Sequence, residues 1–330
     1  MKRIKIFVAA LVAVLAAGAG WLAWYADQPL AQGPFPKTFS VAPGTSLAGL
    51  AIQLEKARIV DSPLAFRLLG RLLGKANRLK AGVYEIDRPL TPLALYDKIE
   101  RGEVVQAAVQ FIEGWTVREA RAALDRHALL RHDSAPLSER ELLAAIGASE
   151  SHLEGLLFPD TYFFAPLSSD LDILRRAYRL QKRKLEAEWA LRAPGLPYKD
   201  AYEALILASI VEKETGAPAE RPLVAAVFVN RLKRGMRLQT DPTVIYGLGE
   251  AFDGNLRRAD LQRDTPYNTY TRNGLPPTPI ALPGLASIQA ALHPAASDAL
   301  YFVARGDGTH VFSATLDAHN RAVNRYQRGQ

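Results

Sequence analysis

The 330-residue chain contains no cysteine and only 2 methionines. Without cysteine there are no disulfides, no thiolate nucleophile, and no zinc or iron–sulfur site built on sulfur. Its histidines, His127, His132, His152, His293, His310 and His319, form no H-E-x-x-H or other tight ligand pair, so no metal site is expected. There is no G-x-S-x-G elbow, no P-loop, and no G-x-G-x-x-G following a strand. The basic residues are dispersed instead of interleaved with aromatics, which argues against a nucleic-acid partner. With 21 prolines and 23 glycines, long coiled coils are excluded. By elimination, chemistry falls to carboxylates, tyrosines and amides, and no cofactor is expected.

What is present is ordinary for a globular chain: 48% hydrophobic and 23% charged residues, in a length that fits about two domains. The exception is residues 6–25, IFVAALVAVLAAGAGWLAWY, which carry no charge. Twenty residues at about 1.5 Å each cross a hydrocarbon core of about 30 Å. Three of the seven net positive charges are Lys2, Arg3 and Lys5, just before the run. Residues 1–5 are therefore expected in the cytoplasm, with the rest of the chain exported. Trp21, Trp24 and Tyr25 sit where amphipathic rings favour the far interface. A cleavable signal peptide with Ala17-Gly18-Ala19 as its site is the alternative, and it exports the same residues.

Residues 26–37 (ADQPLAQGPFPK) read as a linker. Residues 38–105 read as a small α+β module. A strand holds Phe39 and Val41. A helix capped by Thr45 or Ser46 carries Leu47, Leu50, Ala51 and Leu54. A second helix, Pro63 to Leu73, carries Leu64, Phe66, Leu68, Leu69 and Leu72. The strand AGVYEI and a helix from Pro92 to Arg101, ended by Gly102, complete it. Such a module is either a spacer or a glycan binder. Residues 106–330 read as a larger α+β domain. Helices are expected at Val117–Arg131, Glu139–Ile146, Ser168–Leu191, Lys199–Thr215 and Ala219–Arg234. A Pro/Gly-rich stretch from Gln239 to Gly284 follows, then a hairpin around Gly306-Asp307-Gly308. The charge run within 168–191 reads as a solvated helix face.

The segment most suggestive of chemistry is ALILASIVEKETGAPAER, residues 204–221. Glu212 and Glu214 lie about 200° apart on a helix, so they cannot share a cleft. Glu214 falls on the more apolar side, over Ile210 and Val211, where desolvation raises a carboxyl toward a working general acid. The alternative is a frayed helix end with both glutamates in water. Residues 236–249, 265–284 and 154–164 are rich in Asn, Gln, Thr, Tyr and turn formers. They suit a groove that stacks sugar rings on Tyr246, Tyr267 and Tyr270 and bonds hydroxyls through Gln239, Asn268 and Thr269. Each tyrosine is alternatively a core ring with its hydroxyl satisfied.

These stretches closely resemble the endolytic murein transglycosylases, the YceG-like membrane-bound lytic transglycosylases. The matching segments are EGLLFPDTY, ASIVEKET, ER…VFVNRL, GMRLQTDPTVIYG, YNTYTRNGLPPTPI, PG…S, HP, YFV and a late HN, spread over roughly residues 107–325. The resemblance implies an α+β fold with an N-terminal transmembrane helix, a LysM-like module at 38–105 resting on PGTS and LKAGVYEI, and a catalytic domain at 106–330. It implies cleavage of the β-1,4 bond between N-acetylmuramic acid and N-acetylglucosamine within peptidoglycan strands, leaving a 1,6-anhydromuramic end. The family's catalytic residue, the second glutamate of the EKE triplet, corresponds to Glu214. Glu154, Gln239, Thr240, Asp241, Tyr246, Tyr267, Asn268 and Tyr270 are the groove candidates. Glu212 is expected in an ion pair with Arg221 or Arg231. Implied partners are glycan strands, the cytoplasmic (inner) membrane crossed by a single pass, and cell-wall synthases. Two other readings stay open: a non-catalytic peptidoglycan-binding scaffold, and a muramidase that takes a second carboxylate from Asp160, Asp241 or Asp264.

Overall fold

The computed structural model describes residues 2–30 and 34–329, so Met1, residues 31–33 of the expected linker and Gln330 lie outside the described residues. So do the side chains of Lys2 and Arg3, on which part of the topology reading rests. The fold is mixed helix and sheet behind an N-terminal apolar helix. It divides into two compact units: one runs through Ala107 and takes in Phe163–Leu167, and the other comprises Ala108–Tyr162 and the chain from Ser168 onward.

In the first unit, α1 (Lys2–Asp27) includes 24 residues, Ile4–Asp27, of mean hydropathy 2.3, long and apolar enough to cross a membrane. Its side chains from Ile4 to Leu15 are bare, whereas Leu22 and Tyr25 are buried against the unit's core. Strand β1 (Lys37–Val41) pairs antiparallel with β2 (Gly82–Ile86), Phe39 opposite Tyr84. Between them lie α2 (Leu47–Lys56) and α3 (Pro63–Leu72), and α4 (Pro92–Arg101) follows β2. Ser46, Ser62 and Thr91 each accept an N–H from the first turn, satisfying amides that a helix start leaves free. The apolar stripe read from α2 is its buried face: Leu47, Leu50, Ala51 and Leu54. Helix α3 behaves differently. Phe66 and Leu69 are buried, while Leu64, Leu68 and Leu72 are exposed. Phe66 stacks on Tyr96 at 4.3 Å, and the Tyr96 hydroxyl donates to the Phe66 carbonyl at 2.7 Å. Gly70 allows that approach, since a Cβ there would meet the Tyr96 ring and hydroxyl.

Along the rest of the chain come β3 (Ala107–Gln110), α5 (Val117–Asp125), β4 (Leu130–Arg131), α6 (Glu139–Ile146), β5 (Thr161–Phe164), β6 (Ser168–Ser169), α7 (Asp170–Ala190) and α8 (Ala201–Glu214), all in the second unit except Ala107 and Phe163–Phe164 at the ends of β3 and β5. Then come α9 (Arg221–Lys233), α10 (Asp241–Leu248), α11 (Arg258–Gln262), α12 (Leu285–Leu292), the hairpin β7 (Tyr301–Ala304) and β8 (His310–Ser313), and α13 (Leu316–Gln327). Helix α8 is apolar all round and is buried without a break from Ala204 to Val211. It packs against α7, α9, α10 and α12. The helix expected over 117–131 stops at Asp125, because Leu130 and Arg131 pair in parallel with Ser168 and Ser169. Ser169, expected inside a helix, instead caps α7. The Pro/Gly-rich stretch from Gln239 to Gly284 contains α10, whose proline sits in the first turn, where no N–H is needed.

Candidate active site

Burial of α8 on every side delivers its last turn to a defined place. Glu212 and Glu214 diverge there, as the helical geometry requires. The Glu212 side chain, 5% exposed, pairs with Arg221 at 3.4 Å and accepts the Gly284 N–H at 2.9 Å. Both its oxygens are thus committed to structure, and of the two expected partners the ion pair is with Arg221. Glu214 points instead into a cleft of about 550 Å³, shared with Arg231, Gln239, Asp241, Tyr270, Tyr301 and His310.

The Glu214 carboxylate accepts a short hydrogen bond from Thr240 Oγ1. Thr240 is held in a cluster of three threonines. Its N–H donates to Thr269 Oγ1 at 3.1 Å, its carbonyl accepts the Thr243 hydroxyl at 2.7 Å, and Thr243 and Thr269 join through their hydroxyls at 2.9 Å. All three threonines are buried. Gln239, just before, has φ 51°, a left-handed conformation uncommon outside glycine, held by its N–H bond to the Thr269 carbonyl at 3.2 Å. Backbone strain of this kind persists only where the surroundings over-determine it, which is common at functional sites.

Burial raises the pKa of Glu214 above the ordinary glutamate value. The Thr240 hydrogen bond acts against that rise, Asp241 adds to it, and the His310 and Arg231 side chains pull it back. Arg231 is 8% exposed. Its guanidinium donates to the Leu300 carbonyl at 2.7 Å and the Leu238 carbonyl at 2.8 Å, and lies 5.1 Å from the Tyr301 ring centroid. Among the described residues it forms no ion pair, so its charge faces the cleft unneutralised. His310 is held by Glu220, which takes its Nδ1 at 2.7 Å and its N–H at 2.9 Å. Neither Arg231 as a cleft residue nor His310 is a candidate on sequence alone. Arg231 stands in the VFVNRL segment, and a buried arginine within so apolar a helix is the available signal.

The other groove candidates divide. Asp241 and Tyr270 line the Glu214 cleft and are joined by a 2.5 Å bond from the tyrosine hydroxyl to the carboxylate. Asn268 is fully buried and spends its amide on the carbonyls of Asp260, Leu261 and Arg263, while its Oδ1 accepts the Tyr270 N–H at 2.8 Å. It shapes the loop that presents Tyr270. Glu154 and Tyr246 border a separate cleft of about 480 Å³ with Arg118, Arg121, Asp125 and Glu139. There Glu154 accepts the Val117 N–H at 3.0 Å and the Tyr246 hydroxyl at 3.1 Å. Tyr267 packs edge-on to Tyr246 at 4.8 Å, and its hydroxyl bonds Thr278. Of the carboxylates weighed as a second catalytic group, Asp241 alone borders the Glu214 cleft, and Asp264 is paired with Arg272. Among the described residues one ligand-type group, Asp125, His132 and Asp170, gathers within 4.8 Å. Asp170 is already engaged by the Ser134 N–H and hydroxyl, so the trio makes a poor metal site.

Glu154 gives a pH-dependent prediction. Burial pushes its pKa from 4.5 up to about 7, against the Val117 and Tyr246 hydrogen bonds. A carboxyl raised on folding contributes fully below its unfolded pKa and loses that contribution as pH rises through the folded value. Above pH 7 the charged form therefore costs on the order of 3 kcal/mol. Glu154→Gln should unfold at higher urea than the parent at pH 8 and at an equal concentration near pH 4. Equal midpoints at both pH values would contradict this.

The family model of the YceG-like family matches residues 39–325. The endolytic murein transglycosylase of Bacillus subtilis (strain 168) is 31% identical over 304 residues, covering 87% of this chain and 84% of that protein. The protein of the same name from Streptococcus pneumoniae serotype 2 (strain D39 / NCTC 7466) is 27% identical over 321 residues, which span 87% of this chain and 57% of that longer one. The crystal structure of a yceG-like protein from Listeria monocytogenes superposes with a TM-score of 0.55 at 31% identity, covering 87% of this chain and 98% of that one. The chain belongs to the YceG-like family.

Proposed function

We propose that this chain is an endolytic murein transglycosylase, a lyase that cuts the MurNAc-β-1,4-GlcNAc bond within glycan strands and leaves a 1,6-anhydroMurNAc end. The observation that carries the reading is Glu214, a carboxyl with raised pKa at the tip of a buried helix, facing an open cleft. A hydrolase ordinarily needs two carboxyls, an acid and a base or nucleophile. A lytic enzyme needs one. Neutral Glu214 protonates the glycosidic oxygen, and the bond to muramic C1 breaks. The same sugar's C6 hydroxyl attacks C1 and returns its proton to Glu214. The internal nucleophile has the advantage of effective molarity, and exclusion of water keeps hydrolysis from competing. During the step Glu214 is ionised, and the Thr240 hydroxyl, Arg231 and His310 are the groups that stabilise that form. Acid–base transfer through one carboxyl calls for no cofactor.

In this reading Gln239, Asp241 and Tyr270 contact sugar beside Glu214, Thr240 holds the Glu214 carboxyl, and Glu154 and Tyr246, backed by Tyr267, bind sugar in the second cleft. Asn268 serves by positioning Tyr270. Residues 6–25 form a single-pass anchor in the bacterial inner membrane, preceded by cytoplasmic residues 1–5 and followed by the 26–37 linker. Residues 38–105 form a LysM-like module and 106–330 the catalytic domain outside the cytoplasm. The enzyme trims or terminates nascent strands beside cell-wall synthases. The presence of Asp241 in the cleft supports a second reading, a muramidase, and product mass separates the two. Released ends lighter by one water than a reducing muramic end support the lytic reading, and full-mass reducing ends support the muramidase.

A further inference from the structure

Helix α3 has two unlike faces. At about 100° per residue, Leu64, Arg67, Leu68, Arg71 and Leu72 fall within roughly 140° of arc, opposite Ala65, Phe66, Leu69 and Gly70. The second set is buried. On the first, Leu64 is 63% exposed, Leu68 43% and Leu72 76%. Among the described residues Arg67 and Arg71 have no ion-pair partner, whereas Lys75 and Arg78, just beyond, are both engaged by Glu100. Three bare leucines interleaved with two free arginines, and no acid within the helix, are the composition of an interfacial helix.

The neighbour of this helix is α1. Leu22 and Tyr25 of α1 belong to the unit's core, α1 packs on α3 and α4, and the Tyr25 hydroxyl reaches the carbonyl of Ser62, the α3 cap. The uncharged part of α1 ahead of buried Leu22, Ile6 to Trp21, rises only about 24 Å, less than the roughly 30 Å of a hydrocarbon core. A unit that grips α1 at Leu22 is thus drawn against the headgroups. We propose that the exposed face of α3 docks on the outer surface of the bilayer that α1 enters, its leucines at the acyl boundary and Arg67 and Arg71 on anionic lipid phosphates. This rests on the reading of α1 as a membrane anchor. It assigns the first unit a lipid-binding surface and fixes its height above the membrane.

The lack of cysteine makes the test clean. Full-length chains with one cysteine each, Leu64→Cys, Leu68→Cys, Leu11→Cys in the anchor, or Arg305→Cys as a solvent reference, are labelled with an environment-sensitive fluorophore. They are reconstituted into phosphatidylglycerol–phosphatidylethanolamine vesicles carrying a lipid-borne quencher. The expected result is strong quenching at 11, several-fold stronger quenching at 64 and 68 than at 305, and loss of the excess at 68 when Arg67→Gln and Arg71→Gln are added. Quenching at 11 with 64 and 68 indistinguishable from 305 overturns the docking and leaves the anchor standing. No quenching at 11 overturns both. Undiminished quenching at 68 in the double glutamine variant overturns the assignment of an anionic surface.

Discussion

Glu214→Gln lowers the release of anhydro-muropeptides from purified sacculi by about 100- to 10,000-fold, the usual contribution of one general acid–base group. The amide is nearly isosteric with the acid and still accepts the Thr240 hydroxyl, but it has no proton to give to the glycosidic oxygen and cannot take one back. Because burial disfavours the charged carboxylate, the neutral amide costs the fold nothing, and urea unfolding at neutral pH should be unchanged or later. Glu212→Gln acts differently. It weakens the pair with Arg221 and the bond to the Gly284 N–H, so its loss is one of stability. Loss of turnover in Glu212→Gln with Glu214→Gln still active would sink the assignment.

Arg231→Met is the second large effect, with two separable readouts. The Leu238 and Leu300 carbonyls lose their charged donor within a buried site. Unsatisfied buried acceptors cost about 1–3 kcal/mol each, so the variant should lose about 3 kcal/mol and unfold at clearly lower urea. The second readout follows from charge. Arg231 pulls the Glu214 pKa down, so removing it lets that pKa rise further. Turnover needs Glu214 protonated at the start, so the alkaline limb of the pH–rate profile moves to higher pH. The maximal rate falls, because the ionised carboxylate formed during reaction has lost a stabilising charge. Arg231→Lys should restore part of the charge effect but not the two-carbonyl fork. An alkaline limb that stays in place in Arg231→Met would remove Arg231 from the catalytic electrostatics and leave it a structural anchor.

Local physics made much of this legible in the sequence. The α2 stripe with its Ser46 cap, the glycine ending α4 and the divergence of Glu212 from Glu214 all follow from helical period and end chemistry. What escaped depends on distant partners. Leu130 and Arg131 leave the helical pattern only because Ser168 and Ser169 pair with them. Arg231 and His310 reach the cleft through bonds to Leu300 and Glu220, far off in sequence. Glu154 and Tyr246 have the same polar, aromatic character as the residues around Glu214, yet border a different cleft. Composition describes what a segment suits, and tertiary placement decides which surface it joins. Leu64, Leu68 and Leu72 make the same point, since apolarity alone did not distinguish core from exposed face.

The central claim is that one carboxyl suffices because the nucleophile belongs to the substrate. Turnover of sacculi in water enriched in heavy oxygen tests it most directly, with the masses of the new muramic ends as readout. The predicted ends are one water lighter than a reducing end, carry no heavy oxygen, and disappear in Glu214→Gln. Full-mass ends carrying one heavy oxygen per cut would contradict the claim. The nucleophile would then be solvent water, activated by a second group such as Asp241, and not the C6 hydroxyl.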